Sequence, residues 1–255
     1  MSAMDNLIDE GIDKHSPIPI YYQIMKQLRA RIMDGTYTPD RSLPPERELA
    51  ETYQVSRMTV RQAIAELVNE GILTRRKGIG TFIAPAKLEQ VLSGLTSFTE
   101  DMAQRGMKAG AKVVSFSTIV PEPPIRKLLE LGENETAFEC VRLRFADNEP
   151  MALETTTVVS ALCPGLSRED LENQSLYALL AYRWGVRLEG ASQSLEPTIA
   201  APYEASLLHV AIGTPLLLMY RLTHDYRDRP VEYVKSFYRG DRYKFITELR
   251  RKTPR

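Results

Sequence analysis

The sequence is short of several things at once. It carries no net charge, two cysteines, three histidines and one tryptophan among 255 residues. Cys140 and Cys163 form neither a disulfide framework nor a metal-ligand pattern, which fits a reducing, cytoplasmic compartment. His209 and His224 have no Cys, Asp or Ser at triad or metal-ligand spacing, so no catalytic residue, metal or cofactor is expected. No stretch approaches the ~18 consecutive apolar residues that a membrane span needs. The first residues, MSAMDNLIDEGIDK, are acidic and lack an apolar signal core, so export is not expected. There is no internal repeat and no low-complexity run. Trp184 and the methionines read as packing residues.

The missing net charge hides a segregated one. Residues 1–18 hold one Lys against four Asp/Glu, and residues 19–85 hold ten Lys/Arg against seven. Residues 86–238 hold fifteen against twenty, and residues 239–255 seven against two. A basic block followed by an acidic one suggests two domains with different partners.

The basic block reads as three helices and a hairpin. Tyr21, Ile24, Leu28 and Ile32 recur at helical spacing and predict a first helix over about 20–33, stopped at Gly35. A short second helix starts at Pro44-Pro45, with Leu49, Ala50 and Tyr53 inward. The turn Gln54-Val55 leads to Ser56, an N-cap for the third helix. There, Val60, Ala63, Ile64, Leu67 and Val68 form a core stripe, while Arg57 and Arg61 stack on one side four residues apart. LTRRKGIGTFI (73–83) then reads as strand, glycine turn, strand, with Arg75, Arg76 and Lys77 before the turn. This arrangement fits a helix entering a DNA major groove N-terminus first, beside a hairpin wing on the backbone or minor groove. Arg suits guanine, and Ser or Thr suits phosphate or a thymine methyl. The plainer alternative is a solvated helix end.

The run LPPERELAETYQVSRMTVRQAIAELVNEGILTRRKGIGTFI resembles the winged-helix head of GntR-family bacterial transcription regulators. The resemblance implies a winged helix-turn-helix domain over 18–84, behind an acidic arm at 1–17. It implies DNA contact by Arg47, Ser56, Arg57, Thr59, Arg61, Lys77, Gly78 and Gly80, with Gly78 in the wing tip approaching the minor groove. The family usually has Ser where this chain has Pro45, so the hydroxyl cap of the second helix is missing.

A polar connection is expected at 85–94. Beyond it strands, hairpins and short helices interleave, which predicts an antiparallel α+β domain. One hairpin, 137–159, turns at Asp147-Asn148; another, 214–240, turns near Asp228. Short helices are expected at PPIRKLLELG and SLYALLAYRWG. Alternation puts Phe138, Cys140, Arg142 and Arg144 on one strand face, and Glu232, Val234, Ser236 and Tyr238 on one face of another. Neighbouring arginines repel unless an anion lies between them. Two guanidiniums, a carboxylate and a phenol would suit a phosphorylated polyol. Equally, the arginines could pair with carboxylates on a solvated sheet face.

VRLRFADNEPMALETT, together with VEYVKSFYRGDRYKF, resembles the UTRA effector domain of the HutC-type GntR subfamily, whose fold is shared with chorismate lyase. That domain would span 95–250. SFTEDM, the ETT after the first hairpin and the YRGDRYKF ending are similar to members that sense amino-sugar phosphates. By that resemblance Arg142, Arg144, Thr99 and Ser175 would hold a phosphate, with Phe98 beside them. Glu154, Glu232 and Tyr238 would face the sugar. The implied protein is a homodimeric, ligand-responsive repressor of operator DNA. Its implied effector is N-acetylglucosamine 6-phosphate or glucosamine 6-phosphate, and binding would respace the two heads. A different small metabolite, or a lyase-like enzyme fused to a DNA-binding head, are the rival readings.

Overall fold

A computed structural model describes residues 12–76, 78–85, 87–92 and 94–249. Most of the acidic arm, Lys77 and the C-terminal residues lie outside the described residues. The chain divides into two compact units between Lys87 and Leu88.

The first unit contains α1 (Ile20–Met33), α2 (Glu46–Tyr53) and α3 (Arg57–Asn69), then the hairpin β1 (Leu73–Arg76) and β2 (Gly80–Ile83). Ile24 and Leu28 of α1 meet Leu49 of α2 and Val60, Ile64 and Leu67 of α3 in a core closed to solvent. Tyr21, Ile32 and Val68 lie at its edge. The double proline precedes α2 rather than opening it. Pro45 takes the cap position, and no side chain caps that helix end. Gln54 makes the turn into α3 in the left-handed region, at φ 52°. The hairpin pairs Leu73 with Ile83 through to Arg76 with Gly80. Leu43 N–H donates to the Thr81 carbonyl at 2.7 Å, which ties the wing to the segment before α2.

The second unit is built on a six-stranded antiparallel sheet. Its strands are β4 (Ala109–Ile119), β5 (Ala137–Ala146), β6 (Glu149–Val159), β7 (Leu188–Ile199), β8 (Pro215–Asp225) and β9 (Pro230–Arg239). They run side by side in the order β4, β5, β6, β9, β8, β7. Asp147 and Asn148 both take positive φ, 47° and 67°, the tight reversal whose twist suits a two-residue hairpin. A separate parallel pair joins β3 (Leu88–Val91) to β10 (Tyr243–Ile246). Residues 88–91, expected as polar connection, are therefore a strand of the second unit. The long strand β7 and the helix Pro202–Leu208 have no counterpart in the sequence reading. At the opposite edge, Asn173 Oδ1 and the Glu172 carboxylate accept from Ala111 and Val113 N–H, which keeps β4 from pairing elsewhere.

Two apolar clusters share one face of this sheet. In one, Leu176 and Leu180 from the helix Leu176–Trp184 pack on Val113, Cys140, Val158 and Val231. In the other, Phe98 and Met102 from the helix Phe98–Gln104 pack on Ala152, Met219 and Tyr238. The strip between them is polar. The opposite face is covered by Ala205 and Leu208 of the helix Pro202–Leu208, packed on Leu143, Leu153 and Leu216.

Gly240, between β9 and β10, is fixed by a close approach: a Cβ there would lie 2.8 Å from the Pro215 carbonyl oxygen. Gly240→Ala is expected to cost about 1–3 kcal/mol, because backbone must shift to admit one methyl group. Urea unfolding will read this as a lower midpoint.

Candidate functional site

In the first unit, α3 has two sides. Val60, Ala63, Ile64 and Leu67 are buried, while Arg57, Met58 and Arg61 point to solvent. Ser56 caps the helix: its Oγ accepts from Thr59 N–H at 3.1 Å and lies 2.8 Å from Thr59 Oγ1. The two hydroxyls therefore hold each other at the helix start, beside its free N–H groups. Arg47 on α2 is exposed, with Nε 3.6 Å from a Glu51 carboxylate oxygen. Arg75 in the wing bonds back to Glu46 of α2 at 3.2 Å, so it braces the hairpin. Gly78 turns the wing at φ 75°, a conformation that suits glycine. Gly80 lets the hairpin close on Ser42, whose Cβ would be 3.2 Å from an added methyl. Lys77 falls outside the described residues.

In the second unit, strand register assembles the polar strip. Arg142 on β5 faces Glu154 on β6, and Glu154 faces Ser236 on β9. Arg142 Nη2 donates to Glu154 Oε1 at 2.5 Å, and Arg144 Nη1 donates to the same oxygen at 3.2 Å. Arg142 and Arg144 are each only 3% exposed, which rules out pairing on a solvated face. The anion that neighbouring arginines require is thus a buried carboxylate of the chain itself. Arg144 also donates to Thr99 Oγ1 at 3.1 Å and lies over the Phe98 ring at 4.6 Å, a cation–π contact. Arg142 Nε and Nη1 and Arg144 Nε are buried without a partner, as are the Thr156 and Ser236 hydroxyls.

The expected residues converge, with one refinement. Phe98, Arg142, Arg144, Glu154, Ser175, Glu232 and Tyr238 line one cavity of about 30 Å³, and Thr99 touches it through Arg144. Ser175 caps the helix Leu176–Trp184, its Oγ accepting from Ala178 N–H at 3.3 Å. The cap of the other helix is Ser97, not Thr99; Ser97 accepts from Glu100 N–H and also lines the cavity.

Other lining residues were not singled out from sequence. Arg221 on β8 donates from Nε to Gln193 Oε1 at 2.9 Å and from Nη1 to the Thr96 carbonyl at 3.1 Å. Tyr177 Oη lies 3.4 Å from the same Arg221 Nη1. Alternation along LLLMYRLTH already puts Met219, Arg221 and Thr223 on one face. What was missing is the order of strands, which sets β9 beside β6 and so joins the two expected hairpins along one polar strip.

Charge in the site is set by burial and by the arginines. Burial works against the Glu154 carboxylate, but Arg142 and Arg144 outweigh it and pull its pKa down to about 2. Burial pushes Glu232 the other way, above the usual carboxylate range; Glu154 adds to that, and the Tyr177 and Thr223 hydroxyls partly offset it. Burial raises Tyr238 to about 12, so its phenol stays a donor. Burial also raises Cys140 to about 11 and Cys163 to about 12, leaving both as unreactive thiols. Among the described residues, no group of three or more His, Cys, Asp or Glu side chains is placed to hold a metal. No helix among them is long and apolar enough to cross a membrane.

Glu154→Gln is expected to cost roughly 3–5 kcal/mol of stability, because two buried guanidiniums lose the carboxylate they share. The pH dependence gives a second check. A carboxylate held below its ordinary value stabilises the fold above pH ~4.5 and loses that contribution as pH falls toward 2. Glu232 has the opposite sign, since its raised pKa favours the fold at low pH. Denaturation midpoints measured from pH 6 to 3 should therefore fall less steeply in Glu154→Gln than in the parent.

Comparison with known proteins agrees with both units. Residues 20–83 match the gntR family of bacterial regulatory proteins, and residues 104–244 match the UTRA domain. The chain is 43% identical over 236 residues to the HTH-type transcriptional repressor NagR of Bacillus subtilis, covering 92% of this chain and 97% of that one. It is 28% identical over 239 residues to the probable fructoselysine utilization operon transcriptional repressor of Escherichia coli, covering 94% and 98%. The crystal structure of PhnF from Mycobacterium smegmatis superposes with a TM-score of 0.62 at 32% identity, covering 90% of this chain and all of that one. The chain belongs to the GntR family of bacterial transcription regulators, in the branch that joins a winged helix-turn-helix head to a UTRA domain, and it is a regulator rather than an enzyme.

Proposed function

We propose that the protein is a repressor that binds operator DNA as a homodimer and is controlled by a phosphorylated amino sugar, N-acetylglucosamine 6-phosphate or glucosamine 6-phosphate. The carrying observation is the buried Arg142–Glu154–Arg144 cluster, in which two guanidiniums share one carboxylate oxygen and keep three N–H groups unpartnered. A phosphate dianion supplies three strong acceptor oxygens and would answer those donors better than one carboxylate does. Ser175 and Thr99 add hydroxyls at helix starts. Glu232, Tyr238 and Thr156 supply the mixed donors and acceptors that sugar hydroxyls need.

A cavity of about 30 Å³ holds one water molecule, not a hexose phosphate. Binding therefore requires that Glu154 give up the arginines and that the wall open. A site that must rearrange to fill is suited to a sensor, because the ligand then favours one conformation over another. Driving a head from almost fully bound to almost fully released takes about 5.5 kcal/mol of differential affinity.

On the DNA side, Arg57 and Arg61 stand on the exposed side of a helix whose other side is core, and Arg47 stands exposed on α2. Arg57 and Arg61 would read base edges, with Ser56 and Thr59 against phosphate and the Gly78 turn at the minor groove. Two-fold symmetry of a homodimer would match a pseudo-palindromic operator.

Thermal unfolding with four compounds tests the effector. The first two, N-acetylglucosamine 6-phosphate and glucosamine 6-phosphate, should raise the midpoint; glucose 6-phosphate and unphosphorylated N-acetylglucosamine should not. Arg142→Ala should abolish that shift while leaving operator affinity unchanged. A wild-type shift in the variant would remove the phosphate role. Separately, Arg57→Ala or Arg61→Ala should weaken specific operator binding by about one to two orders of magnitude in a gel-shift titration, the loss of one base contact.

A further inference from the structure

Gln90 is a polar side chain in a place that offers it too little. It is 4% exposed, and its Oε1 is buried with no hydrogen-bond partner. Turning the amide over would place its donor end there instead, so the position wants a partner either way. A buried amide left unmatched is costly, and such groups in native folds usually have a reason.

Its surroundings supply one. Gln90 lines the small cavity that holds Arg142, Arg144 and Glu154. It also lines an open groove of about 460 Å³ beside β7, with Gly190, Gln193 and Leu195. Arg221 also lines both the cavity and the groove. Gln90 and Arg221 thus lie between a small polar cavity, too small for a sugar, and a neighbouring groove large enough for one.

Gln90 also sits on an unusual strand. β3 is four residues long and, among the described residues, pairs only with β10, in parallel, with Gln90 beside Phe245. Phe245 in turn meets the ring of Tyr238 edge-on at 5.5 Å, and Tyr238 lines the same cavity. β3 begins at Leu88, the first residue after the DNA-binding unit ends. Among the described residues, Gln90 is the cavity-lining side chain nearest in sequence to that unit.

We infer that Gln90 is an effector-contacting residue whose amide, once bonded to the ligand, alters the seating of β3 and so carries pocket occupancy into the segment leading to the head. This rests on the sugar-phosphate reading above. The phosphate is held by the arginines; the amide takes a hydroxyl or the acetamido group, which extends past Gln90 and Arg221 as the cavity and groove merge.

The test uses the full chain and Gln90→Met, which keeps the length and flexibility of the side chain and removes its polar end. Two quantities are measured with N-acetylglucosamine 6-phosphate: its dissociation constant, and the ratio of operator affinity without and with saturating ligand. In the variant, ligand binding should weaken about three- to tenfold, the loss of one neutral hydrogen bond. The operator ratio at saturation should fall towards one, although the pocket is filled. A purely structural role would leave that ratio at its wild-type value once the ligand concentration is raised to saturate, and that result would overturn the inference alone. Failure of the wild-type protein to bind the ligand would overturn the sugar-phosphate reading and this inference with it.

Discussion

Two buried guanidiniums cannot lie side by side in an apolar fold without an anion, and Glu154 is that anion here. Its oxygen accepts from both Arg142 and Arg144. The arrangement depends on register: only the pairing of Arg142 with Glu154 across β5 and β6 brings the charges together. It also depends on the two apolar clusters that flank the strip and exclude water from it. The cluster is incompletely satisfied, with guanidinium N–H groups and two hydroxyls unmatched. Buried ionic groups seldom add net stability over well-packed apolar ones, so an unfinished cluster makes more sense as a receptor than as a brace.

The DNA-binding unit separates its tasks differently. Its core is continuous and almost wholly apolar, the buried Tyr53 hydroxyl apart, and its charged groups stand at the surface. The Ser56 cap fixes where α3 starts and thus which side chains stand on its exposed side. The wing is tied back to α2 through Arg75 and Glu46 and to the preceding segment through Leu43. Little in this unit is left unsatisfied, which suits a rigid reader of a rigid ligand.

Local signals carried much of this in the sequence. Helical spacing placed α1 and α3, Ser56 marked the cap, and strand alternation put Arg142 with Arg144 and Glu232 with Tyr238. Alternation says which residues share a face, but not which strands are neighbours. Arg221 stayed hidden because nothing local joins its hairpin to β6, although its face was readable; Glu154 was hidden as the partner of the arginines because a register shift between Arg144 and Phe145 decides which β6 residue stands opposite Arg142. Strand β3 was hidden for another reason. Its four residues, LEQV, are polar enough to read as a connection, and they become a strand only because β10, some 150 residues later, offers them an edge. The edge strand β7 is exposed at most positions and carries little apolar pattern to find.

On effector binding, a phosphate is proposed to replace Glu154 between the two arginines. A crystal structure of the full chain with N-acetylglucosamine 6-phosphate tests it directly. The phosphate is expected within hydrogen-bonding distance of Arg142 and Arg144, with the Glu154 carboxylate withdrawn from both. A ligand bound elsewhere, with the Arg142–Glu154–Arg144 cluster intact, would contradict it.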